Sequence, residues 1–289
     1  MSRLALGSAQ FGLPYGIANR SGQVSPDELA RILARARVGG MDTLDTAIAY
    51  GESELRLGQA GVAEWKVVSK LPTLPVECGD VGRWVEDNVS ASLQRLGIGS
   101  LYGLLLHRSA NLVGPSGEEL YSALQRLKSR GVVHKIGASV YDPEELDALA
   151  ERCRLDLVQA PFNIVDRRLE SSGWLQRLRV TGVELHTRSV FLQGLLLMSP
   201  EQRPAKFDRW AALWALWERW LGDEHLDAAQ ACLGFVLRHP QIDRVVVGVD
   251  SVAQLSGLLE RSVPASVAAP AAMSSRDPDL INPSQWRLY

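Results

Sequence analysis

The feature that most constrains the fold of this chain is a regular alternation of short apolar runs with longer amphipathic segments. Such alternation is typical of strands that cross over through helices to a parallel neighbour. The apolar runs predict eight strands, at Leu4–Leu6, Thr43–Asp45, Val67–Ser69, Tyr102–Leu106, Lys135–Gly137, Leu157–Gln159, Val183–His186 and Arg244–Val247. A helix-like segment follows each of them, and the last such segment is Val252–Arg261. The pattern therefore predicts an α/β chain that forms a single-domain (β/α)8 TIM barrel.

Capping signals predict where two of the helices begin. Ser25-Pro26-Asp27-Glu28 combines a capping hydroxyl, a first-turn proline and acidic residues, and Asp142-Pro143-Glu144-Glu145 repeats the device. Both signals come directly after loops, as the βα units of a barrel require.

Length and composition limit the class of protein. The 289 residues suit one barrel, which typically takes ~250 residues, and a net charge of −2 does not favour nucleic acid as a partner. The three cysteines lie far apart without a Cys-x-x-Cys pair, which predicts neither a disulfide framework nor a metal site. No apolar run is long enough for a signal peptide or a membrane helix, so we predict a cytoplasmic protein with no membrane partner.

The chain divides into a barrel, residues 1–262, and a C-terminal tail, residues 263–289. The tail is rich in Pro, Ala and Ser through Ser275, which is typical of a linker over the surface. From Arg276 onward it contains apolar and turn-forming residues. This last segment is predicted to be either a flap over the pocket or an ordinary packed tail.

Residues that follow the predicted strands should meet at one rim of the barrel, where the active sites of this fold lie. They are Asp45, Lys70, His107, Ser139 and Gln159, with Tyr50 in the second loop. A lysine ammonium beside a phenol favours the phenolate, so we expect Lys70, held by Asp45, to lower the pKa of Tyr50. Tyr50 could then protonate a carbonyl oxygen while hydride reaches the carbon.

Each of these residues also has a structural explanation. Asp45 could be a loop cap, Tyr50 a packed loop tyrosine and His107 a satisfied rim histidine. Lys70 is the hardest to explain in this way, because only five of the 31 basic residues are lysines.

Several motifs occur in the order and spacing of a known family, from about Leu4 to Leu259. They are Asp45-Thr46-Ala47, Tyr50-Gly51-Glu52-Ser53-Glu54, Leu57-Gly58, Val67-Val68-Ser69-Lys70, Leu104-Leu105-Leu106-His107, Gly137-Ala138-Ser139, Gln159-Ala160-Pro161-Phe162-Asn163, Gln193-Gly194-Leu195 and Val246-Val247-Gly248. With these motifs the chain resembles an aldo-keto reductase.

The resemblance implies an NAD(P)H-dependent oxidoreductase that reduces a small carbonyl compound, an aldehyde or ketone, of which a sugar-derived compound is one candidate. It implies that Tyr50 is the general acid, that His107 orients the carbonyl, and that Lys70 and Asp45 tune Tyr50. Ser139 and Gln159 would hold the nicotinamide carboxamide, and Gln10 would line the pocket. The full set expected to bind the cofactor is Gly7, Ser8, Ser139, Gln159, Arg188, Ser189, Gly194, Gly248, Asp250, Ser251 and Gln254.

Three positions depart from the family pattern. Val140 stands where Asn is common, and Arg188 replaces the usual aromatic residue, so Arg188 would either stack on the nicotinamide or point outward to a carboxylate. Asp250 replaces a basic residue. The family favours NADP(H), whereas an aspartate there would repel a 2′-phosphate and allow NAD(H). Alternatively, Asp250 only caps the next helix, and Ser251 could still bind phosphate.

Four of the eight tryptophans, Trp210, Trp214, Trp217 and Trp220, share one face of a predicted helix. We expect this face to pack on the barrel. The alternative is an aromatic wall for a sugar or a subunit interface, and the sequence leaves monomer and homo-oligomer undecided.

Two other classes of function remain open. A binding protein that senses nicotinamide redox state could keep the same four residues. A Schiff-base aldolase could use Lys70 as its nucleophile.

Overall fold

The computed structural model describes residues 2–261 and 268–286. The strands are β1 (Leu4–Gly7), β2 (Thr43–Asp45), β3 (Lys66–Leu71), β4 (Leu101–Leu106), β5 (Val133–Ser139), β6 (Leu157–Pro161), β7 (Glu184–Arg188) and β8 (Arg244–Gly248). The α-helices are α1 (Ala9–Gly12), α2 (Pro26–Val38), α3 (Ser53–Ala60), α4 (Val81–Leu96), α5 (Ala110–Val113), α6 (Gly117–Ser129), α7 (Glu144–Ala150), α8 (Arg168–Ser171), α9 (Trp174–Val180), α10 (Ala211–Asp223), α11 (Ala228–Leu237), α12 (Val252–Glu260) and α13 (Pro278–Ile281).

The eight strands form one closed parallel barrel in chain order, with β8 returning to β1. In the closing pair, Leu6 lies opposite Val247, and on its other side Leu6 lies opposite Leu44 of β2. The predicted single-domain (β/α)8 barrel is therefore confirmed. All the carboxyl ends of the strands meet at one rim, which we call the mouth.

Both predicted helix starts are present. The Ser25 hydroxyl accepts from the Glu28 amide at the start of α2. Before α7, Asp142 Oδ1 accepts from the Glu144 amide at 3.0 Å, and Glu145 Oε1 accepts from the Asp142 amide at 2.8 Å. This reciprocal pair fixes the chain where it leaves the mouth after β5.

Charged and polar side chains close the opposite end of the barrel. We call this end the floor. Glu184 accepts hydrogen bonds from Tyr102 and Lys135 and contacts His186 Nε2 at 2.6 Å. His186 is fully buried, as expected for a packed strand histidine, and Nδ1 of its ring has no partner among the described residues.

The tryptophan face is packed. Trp214, Trp217 and Trp220 of α10 are between 2% and 6% exposed. Trp210, just before α10, is partly buried, and its indole nitrogen donates to Asp277 at 3.2 Å. The packed interpretation is confirmed, and these rings form no wall for a sugar.

The C-terminal segment 268–286 docks on the barrel. Leu280, Ile281 and Trp286 are buried, and the Ser275 amide donates to the Val165 carbonyl at 2.8 Å. The predicted boundary at residue 262 and the first part of the predicted linker lie outside the described residues. Within the described ranges, no helix has the length and apolar character needed to cross a membrane.

Candidate active site

A cavity of about 770 Å³ opens at the mouth. It extends from the ends of β2, β3 and β4 to the start of α12. Its wall includes Asp45, Tyr50, Lys70 and His107 together with Gly7, Ser8, Gln10, Ser139, Gln159, Arg188, Ser189, Gly194, Gly248, Asp250 and Gln254. The structure thus brings together the predicted residues with one exception, Ser251.

An ion pair lies at the base of the cavity. Lys70 Nζ donates to both carboxylate oxygens of Asp45 at 2.8 Å and to the Thr46 carbonyl at 2.9 Å. Both charged side chains are almost fully buried. Since an ammonium has three protons, these bonds use all of them.

The loop that carries Tyr50 is held by a close backbone approach from the β1 side of the mouth. A Cβ atom on Gly12 would lie 1.8 Å from the Tyr50 carbonyl oxygen, so only glycine permits this contact. From the same segment after β1, Ser8 accepts a hydrogen bond from the Ser53 hydroxyl, with an Oγ–Oγ distance of 2.8 Å. These contacts fix the second βα loop, which carries Tyr50, against the first.

Glu54, four residues after Tyr50, links several elements near the site. Its buried carboxylate accepts from Ser69 of β3, from Ser92 of α4 and from the Arg95 guanidinium. These bonds join α3 to the strand that carries Lys70. Glu54 is thus a structural residue that fixes the positions of Tyr50 and Lys70 relative to each other.

The pKa of Tyr50 differs from the sequence expectation. We expected Lys70 to lower it, but burial raises the pKa of the phenol, and the negative charge of Asp45 raises it further. Lys70 Nζ lies 5.1 Å from the centre of the Tyr50 ring, and its protons are bonded to Asp45 and Thr46. The ammonium charge is therefore largely balanced by Asp45, and Arg188 is the group that lowers the pKa of this phenol.

His107 meets Tyr50 edge to face, with 5.7 Å between the ring centres. Burial and the nearby charge of Lys70 lower the pKa of His107 to about 4. The imidazole is therefore neutral at physiological pH and can take part in hydrogen bonds but holds no proton to give up as an imidazolium.

Polar groups at the ends of β5 and β6 point to a ligand. Gln159 Nε2 donates to Asp45 at 2.6 Å, while Gln159 Oε1 is buried without a hydrogen-bond partner in the described part of the chain. Ser139 lies beside it in the cavity wall. A buried carbonyl oxygen without a donor is costly, so this pair suits a ligand that brings an N–H group.

Arg188 lies in the cavity wall rather than pointing outward. Its guanidinium carbon is 4.4 Å from the centre of the Tyr141 ring, and Nη2 donates to the Val140 carbonyl at 3.0 Å. Within residues 2–261 and 268–286, no carboxylate pairs with it. The outward alternative is therefore wrong.

The loop after β1 reaches across the mouth to the loops after β7 and β8. Gln193 donates to the Tyr15 hydroxyl at 3.2 Å, and Asn19 Nδ2 contacts Asp250 Oδ1 at 3.2 Å. A Cβ atom on Gly194 would lie 2.5 Å from that of Ala18. The sequence pattern does not single out Tyr15 or Asn19, and the one signal for Tyr141 is its position two residues beyond β5.

The start of α12 shows which of Asp250 and Ser251 caps the helix. Ser251 is the N-cap, since its hydroxyl accepts from the Gln254 amide, and it is not part of the described cavity wall. Asp250 is therefore not the cap, and it faces the cavity. Arg261, which follows the last residue of α12 and also lines the cavity, is bonded to Asp227 at 2.6 Å.

The fold and the site define a (β/α)8 barrel with a deep cavity and four catalytic candidates at its mouth. The model of the aldo/keto reductase family matches residues 3–265, and the chain belongs to this family. It is 28% identical over 226 residues to the NADH-specific methylglyoxal reductase of Escherichia coli (strain K12). That match covers 68% of this chain and 65% of the relative, so the relative is matched over less than two thirds of its length.

Solved structures agree on the fold. An aldo-keto reductase from Bacillus halodurans matches with a TM-score of 0.73 at 20% identity, covering 92% of this chain and 88% of that one. A glycerol dehydrogenase from Gluconobacter oxydans matches with a TM-score of 0.71 at 22% identity, covering 93% and 88%.

Proposed function

We propose that this chain reduces an aldehyde or ketone to an alcohol with a nicotinamide cofactor, and that Tyr50 supplies the proton. Carbonyl reduction with NAD(P)H is the general activity of the family to which it belongs. The observation that carries the proposal is the meeting of Tyr50, His107 and the Asp45–Lys70 ion pair at one end of a deep cavity.

The wall fits a nicotinamide carboxamide. Gln159 Oε1 offers a buried acceptor for the amide N–H, and Ser139 offers a hydroxyl. The bound dihydronicotinamide supplies hydride, and the protein's part is to bind and orient it. Val140 has no polar side-chain atom, so it cannot make the hydrogen bond to the carboxamide that an asparagine there could make. This loss would weaken cofactor binding by about 1 kcal/mol.

Tyr50 acts as the general acid in this proposal. Its raised pKa keeps the hydroxyl protonated at neutral pH, so every molecule carries the proton needed. The acceptor is an oxygen that becomes alkoxide-like as hydride arrives, and an alkoxide is more basic than a phenolate, so transfer proceeds. Lys70 and Asp45 shape this end of the cavity, and the N–H of neutral His107 donates one hydrogen bond to the carbonyl oxygen and orients it.

The test is Tyr50→Phe, which keeps the ring and removes the proton. We expect a fall in kcat of about 10²- to 10⁴-fold, the usual contribution of a general acid, with the Kd of the cofactor unchanged. Activity would be followed by the consumption of NADH or NADPH against a panel of aldehydes and ketones. Full reductase activity in Tyr50→Phe would contradict the assignment.

We propose NADH as the preferred cofactor. Asp250 places a carboxylate where a 2′-phosphate would be repelled, and Arg261 at this end is already bonded to Asp227. The Escherichia coli relative is named as NADH-specific, which supports the same choice.

Fluorescence titrations of both cofactors check this preference. We expect NADH to bind at least about tenfold tighter than NADPH, and Asp250→Ser to narrow the gap, because it removes a repulsion of roughly 1.4 kcal/mol. Asp223→Ser, at an exposed position at the end of α10, is the control and should leave the ratio unchanged. Equal affinities in the native protein would rule out the proposed role of Asp250.

The structure favours neither alternative function. In a Schiff-base enzyme the lysine nitrogen needs a free lone pair and must reach a carbonyl carbon. Lys70 is only 1% exposed, and all three protons of its ammonium are hydrogen-bonded. A redox sensor without turnover would bind the cofactor and fail to oxidise it with any carbonyl compound, an outcome that the activity panel would reveal.

A further inference from the structure

Two guanidinium groups flank one aromatic ring at the mouth. Arg188 lies 4.4 Å and Arg108 lies 5.2 Å from the centre of the Tyr141 ring. Arg188 is in the cavity wall, whereas Arg108, directly after His107, is exposed. The three side chains place two positive charges beside the catalytic candidates.

The carboxylates around this cluster are bonded to other groups. Asp45 is balanced by Lys70, and Asp142 pairs with Arg168. Glu145 accepts from the Ser109 hydroxyl and from backbone amides. For the part of the chain that the structure describes, neither Arg188 nor Arg108 has an ion-pair partner, so no carboxylate of the protein is bonded to either guanidinium.

Arg188 is held in place but not saturated. Its side-chain bonds go to the Val140 carbonyl at 3.0 Å and, more weakly, to the Ser189 hydroxyl at 3.3 Å. These leave most of its N–H donors without a partner, and the planar guanidinium is suited to carboxylate or phosphate oxygens. A partly buried cation without a counter-ion is unfavourable unless a ligand supplies one.

Arg188 acts at the reacting end of the cavity. Its charge lowers the pKa of Tyr50, His107 and Lys70, so it lies within electrostatic reach of all three. Because Arg188 and Tyr50 line the same cavity, one molecule could place an anionic group at Arg188 and a carbonyl group at Tyr50.

We infer that the substrate is a carbonyl compound with an anionic group, a carboxylate or a phosphate, and that Arg188 is the specificity-determining residue that receives it. This inference rests on the proposed function. A bound dihydronicotinamide would supply the hydride for the new C–H bond and be oxidised in doing so, while Tyr50 gives its proton to the carbonyl oxygen. The anionic group is unchanged and serves only for recognition, with Arg108 attracting it from solvent.

The test compares matched carbonyl compounds with and without the charge. Succinic semialdehyde is paired with its methyl ester, 4-carboxybenzaldehyde with methyl 4-formylbenzoate, and glyceraldehyde 3-phosphate with glyceraldehyde. We expect kcat/KM to favour the anionic member of at least one pair by tenfold or more, mainly through KM. The first two pairs report a carboxylate preference and the third a phosphate preference.

Arg188→Met should bring the ratio within each pair close to one, and Arg188→Lys should retain part of the preference. Using a ratio removes any common effect of these changes on cofactor binding. Arg177→Met is the matched control, since Arg177 also stacks on an aromatic ring, that of Trp174 at 3.7 Å, but lies outside the described cavity wall. It should keep the native ratio.

Three results would overturn the inference. Equal reduction of both members of every pair by the native enzyme would remove it while leaving the proposed function intact. A native ratio that persists in Arg188→Met, with only the Kd of NADH changed, would assign Arg188 to the cofactor. No turnover of any compound would remove the proposed function and this inference together.

Discussion

Lys70 and Asp45 form the most constrained pair of residues in the molecule. Two bonds between them and one to Thr46 hold the ammonium in a single position, 5.1 Å from the centre of the Tyr50 ring. Because the pair is close to neutral, it influences Tyr50 less than an isolated lysine would. Its main contribution is to fix the base of the cavity, including Gln159, which donates to the same carboxylate.

His107 gives the clearest pH dependence at the scale of one residue. Its pKa is about 4 in the folded protein, against an ordinary value of ~6.5 in the unfolded chain. Between these values the unfolded state binds more protons, so the free energy of unfolding falls as the pH falls from ~6.5 to ~4. At pH 5 this loss is about 2 kcal/mol.

We expect His107→Gln to remove that loss. Urea unfolding at pH 7 and pH 5 would measure it, and the difference between the two pH values should be about 2 kcal/mol smaller than in the native protein. His134→Gln is the control, because His134 is exposed and its bond is to Ser100 near the opposite end of the barrel. A native-like difference in His107→Gln would show that another group causes the acid sensitivity.

The sequence predicted the four catalytic candidates because each lies at the end of a strand or in the loop beyond it, and strand ends can be located from apolar periodicity. It did not predict the raised pKa of Tyr50, which depends on burial by residues distant in the chain. The direction of the Arg188 side chain was equally inaccessible. A long flexible side chain is placed by its contacts with Tyr141 and Val140, and these exist only after β5 and β7 have entered the barrel.

Among the elements, the packing of the loop after β1 against the loop after β2 depends on one residue, Gly12. Gly12 ends α1 against the backbone of Tyr50, and any side chain there would displace the loop that carries the proposed acid. Such precision matters because a misplacement of about 1 Å can reduce catalysis roughly 10²-fold.

We therefore expect Gly12→Ala to lower kcat by about 10- to 100-fold and to cost about 1–3 kcal/mol of stability through overpacking. Steady-state kinetics and urea unfolding would measure the two effects. Gly99→Ala, in the turn before β4, is the control because a Cβ atom there meets nothing within 4 Å. Native kinetics in Gly12→Ala would show that the loop adapts without moving Tyr50.

At this scale the sequence was informative about strands and helix starts, whose signals are local. It was uninformative about loops that meet across the mouth. The bond between Asn19 and Asp250 joins residues 231 positions apart, and no local pattern predicts it.

For the molecule as a whole, the C-terminal segment raises the question of a flap. Leu280, Ile281 and Trp286 are buried, so truncation before Arg276 would destabilise the protein whatever the role of the tail. Pro283 and Ser284 line the cavity, and a substitution there tests the role directly.

If the tail forms part of the substrate site, Ser284→Trp should raise KM roughly tenfold, equivalent to about 1.4 kcal/mol, because the larger side chain narrows the opening. The melting temperature should stay the same, since Ser284 is exposed. Ser274→Trp, at an exposed tail position outside the described cavity wall, should change neither quantity. An unchanged KM in Ser284→Trp would remove the flap proposal.

The floor of the barrel has a consequence for exchange with solvent. Glu184 and its partners close that end, and the buried side chains Val68, Leu105 and Leu157 separate it from the ion pair at the base of the cavity. Within the described residues the cavity opens at the mouth, so in the proposed reaction the carbonyl compound, the alcohol and the proton that restores Tyr50 all pass the same rim. The alcohol must therefore leave the cavity before the next carbonyl compound can enter it.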